Sequence, residues 1–296
     1  MTTVLSHLAP DAMAALELPS DERDDFCKKD RWIGYERATQ IMQQLDEVLL
    51  YPRTLRMPNV LIVGQSGNGK SAILKQFCDR HPVQITAAGD PVAPVLPISM
   101  PETPDEAEIW SEILWALGVS HGERDSTKVP KSNAKSVMKY ANIRVLAIDE
   151  FNNLVYAGRR AADILALIKG ISNDLKISIV AAGTQAAINA LNSEPQMKSR
   201  FEPAALDRWR LDTTYLRFLA SFERTLPLAE PSNLASRELA PLIYGIGGET
   251  IGGTVKLLKA AACKAIELQR ECIDADVLKK ANIVRRDGWD DVMRRI

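Results

Sequence analysis

The stretch from Gly64 to Ser71 has the residue types of a phosphate-binding loop, because it combines three glycines with an adjacent lysine and serine. Phosphate oxygens need several backbone N–H groups that converge on one point, and glycine permits the tight turn that aims them. In this pattern Lys70 reaches the β- and γ-phosphates of a nucleotide, and the Ser71 hydroxyl ligates Mg²⁺. The predicted loop comprises Gly64, Gln65, Ser66, Gly67, Asn68, Gly69, Lys70 and Ser71.

The sequence on either side of this loop supports the same interpretation. The apolar residues 60–63 predict a buried strand before the loop, and the pattern of residues 72–77 predicts a helix after it. The N-terminus of such a helix adds unsatisfied N–H groups and a partial positive charge. A flexible glycine loop without a ligand is the alternative, and it does not require this order of strand, loop and helix.

Two acids, Asp149 and Glu150, follow the apolar residues 145–148. Four apolar residues predict a strand inside a sheet, so the acids emerge at its carboxyl end, where open α/β sheets bind ligands. There Asp149 would hold Mg²⁺ through water, and Glu150 would act as general base toward the attacking water. Acids at the start of a helix are the alternative, and the phosphate-binding loop upstream favours the catalytic interpretation.

Two further positions would complete a hydrolytic site. Thr184 comes after Gly183 and the predicted strand of residues 177–182, and it is placed to contact the γ-phosphate, to orient water or to cap the next helix. Arg200 follows that helix, and on the face away from its own nucleotide it would complete the site of a neighbouring copy as an arginine finger. Arg208 and Arg210 compete for this role, and a surface salt bridge is the alternative for each arginine.

Strands and helices alternate up to about residue 215, which predicts a parallel sheet covered by helices on both faces. Beyond that point the strand signals stop and four helical patterns remain. Residues 1–30 carry seven acids and three bases, a net charge of −4 against −1 for the whole chain. They predict an acidic arm with at most one short helix, around residues 11–18. The predicted domains are residues 1–30, 31–214 and 215–296.

The composition is that of a globular domain, with 46% hydrophobic and 25% charged residues in a chain of 296. No uncharged apolar run approaches the length of a membrane span, and the first residues lack the basic-then-apolar order of a secretory leader. We therefore expect a cytoplasmic protein without a membrane partner. The near-neutral net charge does not indicate a polyanion partner, although a local basic stripe would be compatible with one.

The combination of these motifs resembles the AAA+ ATPases, and more narrowly the TniB family of transposition ATPases, which are relatives of the TnsC and Mu B target-selection ATPases. The resemblance runs from about residue 30 to about residue 270. Besides Ala182-Gly183-Thr184 and Ser199-Arg200-Phe201, it is carried by residues 32–35 (Trp-Ile-Gly-Tyr), 49–52 (Leu-Leu-Tyr-Pro), 56–59 (Arg-Met-Pro-Asn) and 149–154 (Asp-Glu-Phe-Asn-Asn-Leu).

The resemblance implies an α/β fold of the AAA+ P-loop NTPase type, with a parallel sheet between helices and a small C-terminal helical lid. It implies a Mg²⁺-dependent ATPase that hydrolyses ATP to ADP and phosphate. Such a protein assembles as a ring or helical filament on double-stranded DNA, largely without sequence preference. It recruits a DDE-type transposase and is released after ATP hydrolysis.

The resemblance also implies roles for individual residues. Lys70 and Ser71 would bind phosphate and Mg²⁺, and Asp149 and Glu150 would serve Mg²⁺ and the attacking water. Thr184 would be the sensor of the γ-phosphate, and Arg200 the finger between subunits. The adenine side would be lined by Trp32, Ile33 and Tyr35, since an aromatic segment packs on a base face; core packing is the alternative for Trp32.

Two positions depart from the family pattern. Asn152 stands where many members carry histidine, so the coupling of the acid pair to DNA is expected to differ. Val255 stands where AAA+ proteins often place a sensing arginine, and Lys256, one position on, points in a different direction on a helix. Contacts to DNA phosphates are expected from basic and hydroxyl residues on loops, with a solvated loop as the alternative: Arg124, Thr127, Lys128, Lys131, Arg159 and Arg160.

Two other functions fit the same motifs. A helicase-loader-like or other DNA-remodelling ATPase differs from the transposition regulator only in its partner. A nucleotide-switched signalling module would bind ATP but hardly hydrolyse it, and Glu150 argues against it because a switch needs no positioned base.

Overall fold

The computed structural model describes residues 7–120, 128–192, 194–281 and 293. The chain forms two compact units, which we call the sheet unit, Arg37–Asp207, and the helical unit, Met1–Glu36 with Arg208–Ile296. The N-terminal segment thus groups with the C-terminal helices, and the divisions fall at residues 36 and 207, whereas the sequence analysis placed them at 30 and 214.

The strands, in chain order, are β1 Asn59–Gly64, β2 Gln84–Ile85, β3 Pro91–Val92, β4 Val95–Ser99, β5 Val145–Asp149, β6 Ser178–Gly183 and β7 Phe201–Leu206. The α-helices are α1 Pro10–Ala14, α2 Ser20–Lys28, α3 Glu36–Leu50, α4 Lys70–Arg80, α5 Glu106–Ala116, α6 Lys128–Tyr140, α7 Ala161–Leu175, α8 Gln185–Asn192, α9 Pro195–Lys198, α10 Thr213–Glu223, α11 Leu239–Gly247, α12 Ile251–Glu267 and α13 Ala275–Lys280. Short 3₁₀ stretches cover Ala15–Glu17 and Phe151–Arg160.

Five strands form one parallel sheet in the order β4-β5-β6-β1-β7. All six residues of β6 are buried, and since successive side chains of a strand point to opposite faces, both faces of the sheet are covered. The predicted parallel sheet between helices is therefore confirmed. The order places β6 between β1, which leads into the glycine-rich loop, and β5, which ends in Asp149.

The outermost strand, β7, was not predicted. Its residues alternate irregularly between buried and exposed positions, and it contains Pro203, which has no N–H to donate and is tolerated at the edge of a sheet. A strand of this kind lacks the continuous apolar run by which β1, β5 and β6 are recognised. Its pairing with β1 joins Asn59 to Phe201 at one end and Gly64 to Leu206 at the other.

The four helical patterns predicted after residue 215 correspond to α10 to α13 of the helical unit. Their apolar faces form one buried cluster, which also includes Cys27 of α2. The expectation of at most one short helix in residues 1–30 is wrong, because α2 packs on α12 and is fixed by ion pairs. Arg23 binds Glu271 at 2.7 Å, and Asp30 accepts a hydrogen bond from Lys259 at 2.5 Å.

Candidate functional site

The glycine-rich loop makes the turn that its sequence requires. Gly67 and Gly69 have φ values of 74° and 86°, in the left-handed region that residues with a side chain rarely adopt. Helix α4 begins directly afterwards at Lys70, and no side chain of the described residues caps its N-terminus. The first N–H groups of α4 therefore remain available to an anion, and the helix dipole favours negative charge at this point.

The loop is held against β7 by Asn68 and by the absence of a side chain at Gly64. Asn68 is buried, and its Nδ2 donates to the carbonyl oxygens of Leu206 at 3.0 Å and Asp207 at 2.8 Å. A Cβ added to Gly64 would lie 3.0 Å from both the Cβ and the carbonyl oxygen of Leu206. The strand that the sequence analysis missed is therefore the support of the predicted loop.

Lys70 is the charged group of the loop. Its side chain is only 9% exposed, and Nζ donates to the Gln65 carbonyl oxygen at 2.9 Å. Burial lowers the pKa of Lys70, while the charges of Glu150 and Asp149 act in the opposite direction. The Lys70 amine is therefore close enough to both carboxylates for their charges to interact. The loop, the uncapped helix and this buried amine together fit the phosphates of a nucleoside triphosphate. Ser71, at the next position, is exposed.

The acid pair lies on a sharply turned backbone at the end of β5. Glu150 has φ 51° and ψ 35°, and its N–H donates to Asp149 Oδ1 at 2.8 Å. Asn152 Nδ2 donates to Glu150 Oε2 at 3.0 Å, and Asn153 Nδ2 donates to the Met100 carbonyl oxygen at 3.0 Å. The carboxylate of Glu150 is exposed but held by an amide, and this positioning by Asn152 was not foreseen from the sequence.

Thr184 follows β6, so it lies at the same edge of the sheet as the loop after β1 and the acids after β5. Its hydroxyl accepts a hydrogen bond from the Ala186 N–H at 3.4 Å, which is the helix-capping contact considered as an alternative. Gly183, just before it, has no room for a side chain, because a Cβ would lie 2.6 Å from the Ala187 Cβ. The sensor role of Thr184 stays a prediction.

Arg200 lies at the opposite, amino edge of the sheet. It directly precedes β7, and its carbonyl oxygen accepts from the N–H of Asn59 at the start of β1 at 3.1 Å. Arg200 Nη1 donates to Asn173 Oδ1 at 2.7 Å. The competing arginines belong to the helical unit, where Arg208 pairs with Glu249 at 3.1 Å and Arg210 is exposed.

The residues expected on the adenine side and in the lid belong to the helical unit. Ile33 and Tyr35 pack against its apolar cluster, with the Tyr35 ring 4.9 Å from that of Trp209, and Trp32 is partly exposed. Val255 packs on the same cluster and Lys256 is exposed. Their proposed relation to a nucleotide stays a prediction.

The predicted DNA contacts fall into three groups. Arg124 and Thr127 lie outside the described residues, as does the side chain of Lys128 at the start of α6. Lys131 pairs with Glu106 of its own chain at 3.0 Å. Arg159 and Arg160 are exposed directly after Gly158, which interrupts the 3₁₀ stretch with φ 56°.

The structure is similar to several solved AAA+ ATPases. The Aeropyrum pernix ORC1 protein in complex with DNA has a TM-score of 0.61 and 16% identity, with 92% of this chain and 72% of that chain covered. CDC6p from Pyrobaculum aerophilum has a TM-score of 0.63 and 18% identity, with 87% and 70% covered. The Thermotoga maritima RuvB Holliday junction branch migration motor has a TM-score of 0.55 and 17% identity, with 91% and 78% covered. The chain therefore has the AAA+ P-loop fold.

None of the helices in the described part of the chain is long and apolar enough to cross a membrane. No curated protein sequence is significantly similar to this chain. The family model "Bacterial TniB protein" matches residues 23–211, which span the loop, the acid pair, Thr184 and Arg200. The chain therefore belongs to the TniB family of transposition-related AAA+ ATPases.

Proposed function

We propose that this protein is a Mg²⁺-dependent ATPase that assembles on double-stranded DNA and recruits a DDE-type transposase, with ATP hydrolysis driving its release. The observation that carries the proposal is the separation of the site across the sheet. Loop and acids lie at the carboxyl edge, and Arg200 lies at the amino edge of the same strands. One copy alone therefore holds an incomplete site, which a second copy would complete.

The residues at the carboxyl edge have different roles in phosphoryl transfer. The loop N–H groups and Lys70 bind and orient the phosphates, so that little translational and rotational entropy is lost on reaching the transition state. Ser71 and Asp149 would hold Mg²⁺, which neutralises charge on the phosphates when it is bound. Glu150 accepts a proton from the attacking water, and Thr184 orients the reacting group.

The amino edge supplies the positively charged side chain of Arg200. The strands from Asn59 to Gly64 and from Phe201 to Leu206 run side by side, and at about 3.3 Å per residue they separate Arg200 from its own loop by about 16 Å. This distance exceeds the reach of one arginine side chain. Arg200 therefore acts in the site of the neighbouring copy, where it stabilises the charge that develops during hydrolysis.

The DNA and transposase parts of the proposal are supported by family membership and by the names of the structural neighbours, one of which is bound to DNA and another a motor for Holliday junctions. Arg159 and Arg160 are exposed cations nine and ten residues after Glu150, so a phosphate contact there would lie close in sequence to the proposed base. Trp32, Ile33 and Tyr35 would line the adenine, and the protein would act in the cytoplasm.

The experiment is the ATPase rate with and without duplex DNA of random sequence, combined with negative-stain microscopy. We expect DNA to raise the rate, and ATP to produce rings or filaments on the duplex. A reaction with ADP in place of ATP is the control for nucleotide-dependent assembly. Unchanged hydrolysis without assembly would contradict the proposal, and would favour a loader that acts on a protein partner or a nucleotide switch.

A further inference from the structure

Helix α2 lies on the C-terminal helices of its unit with little apolar contact of its own. Six of its nine residues are charged, and Cys27 alone among the nine is buried. Most of a helix's stability in a protein comes from the packing of an apolar face. The attachment of α2 therefore depends on the surroundings of one thiol and on polar contacts such as the Arg23–Glu271 pair.

A second cysteine lies against the same turn of α2. Cys263 of α12 donates from Sγ to the Asp24 carbonyl oxygen at 3.8 Å, and its thiol lies within hydrogen-bonding distance of the Cys27 thiol. Asp24 and Cys27 are three residues apart, so they share the face of α2 that packs on α12. Two free thiols, more than 200 positions apart in the sequence, thus meet between the first and the last part of the chain.

The two thiols differ in access and in charge. Cys27 is 1% exposed, whereas Cys263 is only half-buried. The hydrogen bond from Cys263 lowers the pKa of Cys27, and burial acts against this shift. The same hydrogen bond raises the pKa of Cys263, because its proton is shared with the Cys27 sulfur. The pair therefore loses one proton more readily than an isolated buried thiol, and the thiolate is the reactive form of cysteine.

A buried cysteine commonly serves as a small apolar side chain. Cys78 in the sheet unit has this character, since burial raises the pKa of its thiol to about 11. The pair differs from Cys78 because its first proton is easier to remove and because a second sulfur lies beside the first. These are the features of a dithiol that is oxidised and reduced reversibly.

We propose that Cys27 and Cys263 form an oxidation-sensitive clip, in which a peroxide converts the two thiols into a disulfide that fastens α2 to α12. The Cys263 sulfur, which solvent reaches, attacks one peroxide oxygen; the O–O bond breaks, and a sulfenic acid and water are formed. The Cys27 sulfur then attacks the sulfenic sulfur, and a second water leaves. Two thiols and one peroxide thus give one disulfide and two waters, which carry away the thiol protons. A thiol reductant reverses the change by disulfide exchange.

The clip would act on the segment that follows α2. Ile33 and Tyr35 pack on the same apolar cluster as Cys27, and the first turns of α12 contain the lid residues 252–256. When the disulfide fastens α2, residues 31–35 stay on the helical unit, so a nucleotide bound beside them should leave more slowly. This last consequence rests on the proposed function, which places the segment at the adenine; the clip itself does not.

The first test detects the disulfide in the full chain. The protein is reduced, freed of reductant and treated with hydrogen peroxide, and the remaining thiols are alkylated after denaturation. We expect two of the four thiols to be lost, the mass to fall by two hydrogen atoms, and a proteolytic peptide to join Cys27 to Cys263. A thiol reductant should restore all four thiols. The double variant Cys78→Ser with Cys272→Ser is the matched control and should form the same disulfide.

The second test measures whether the disulfide fastens the helix. Hydrogen exchange of the α2 amides should slow by about tenfold or more on oxidation, because opening of α2 then requires α12 to move with it. Cys263→Ser, at a half-buried position, should keep the fold, and its exchange should not respond to peroxide. Cys27→Ala is a second such variant, which removes the buried sulfur without adding an unpaired hydroxyl.

The third test measures the release of a fluorescent ADP analogue by stopped flow. Release from the wild type should slow by about threefold or more on oxidation, because local opening of the helical unit becomes rarer. Release from Cys263→Ser should be the same before and after treatment with peroxide.

The outcomes separate the clip from the proposed function. If both cysteines are still alkylated after peroxide, are oxidised singly to sulfinic acid, or are linked only between molecules, the clip is overturned. It is also overturned if the disulfide forms and exchange of the α2 amides is unchanged. A wild type that binds no nucleotide overturns the proposed function, while a disulfide that slows exchange in that same protein supports the clip. If nucleotide binds and its release is unchanged although the α2 amides slow, the clip is supported and its effect on release is overturned.

Discussion

The two edges of the parallel sheet differ in both chemistry and construction. The carboxyl edge presents carboxylates and glycine-rich backbone, taken from short contiguous motifs after β1, β5 and β6. The amino edge presents four arginines from three separate segments, Arg53 and Arg56 between α3 and β1, Arg144 before β5 and Arg200 before β7, and they donate to carbonyl, amide and hydroxyl oxygens. Because about 16 Å of strand lies between the edges, Arg200 does not reach the loop of its own copy. The proposed function therefore requires a pair of copies.

Removing the proposed arginine finger, Arg200, should produce the largest loss of ATPase activity. Arg200→Ala is expected to lower the DNA-stimulated ATPase rate by about 10³- to 10⁵-fold, the range found for arginine fingers. Binding of a fluorescent ATP analogue to the monomer should stay normal, because the carboxyl edge is intact. The measurement is steady-state hydrolysis with random duplex.

A mixing experiment decides whether Arg200 acts across the interface. Arg200→Ala combined with Lys70→Ala should recover part of the activity, since each variant supplies the edge that the other has lost. No recovery with intact assembly would point to Arg208 or Arg210 as the finger. Normal hydrolysis by Arg200→Ala alone would contradict the proposal that the amino edge takes part in hydrolysis.

Neutralising the base should come next in size. Glu150→Gln keeps the shape of the side chain but cannot accept the proton, so kcat should fall by about 10²- to 10⁴-fold. Nucleotide binding should persist, and the protein should remain on DNA because hydrolysis no longer releases it. Single-turnover hydrolysis and the lifetime of the DNA complex measure the two effects, and normal turnover would exclude Glu150 as the base.

Removing the buried amine of Lys70 should weaken ATP binding. Lys70→Ala is expected to weaken ATP binding by about 2–5 kcal/mol, or roughly 30- to 5,000-fold in Kd, the cost of truncating one partner of a buried charge pair. On its own, without a nucleotide-binding partner variant, Lys70→Ala should not assemble on DNA. Lys75→Ala, an exposed residue of the same helix, is the control. DNA affinity of Lys70→Ala that is independent of ATP would count against nucleotide-controlled assembly.

The two edges also differed in how well the sequence predicted them. Gly64 to Ser71, Asp149 and Glu150 are contiguous and follow apolar runs, so their chemistry and their strands could be recognised together. β7 was missed because Pro203 and its exposed positions break the apolar pattern, although Asn68 and Gly64 depend on it.

The amino edge was harder to foresee because its contacts join distant segments. Arg56 and Ser199 are 143 positions apart, and nothing in either segment alone indicates the other. The same holds in the helical unit, where acids such as Asp30 suggested a solvated arm. Asp30 pairs with Lys259 and Arg23 pairs with Glu271, each more than 200 positions away, so the second helix of that segment depends on tertiary packing.

The smallest expected effect concerns Asn152, whose amide holds the Glu150 carboxylate at 3.0 Å. A hydrogen bond to a charged group contributes about 1.5–3 kcal/mol at most, and Glu150 is exposed and already constrained by its own backbone turn. Asn152→Ala should therefore lower kcat by about tenfold, near the lower end of that range, with KM for ATP unchanged because phosphate binding does not involve this amide. Asn189→Ala, an exposed asparagine on α8, is the control and should leave the rate unchanged. A higher rate without DNA would instead show that Asn152 restrains the base until DNA is bound, and the carboxyl edge would then be the regulated half of the pair.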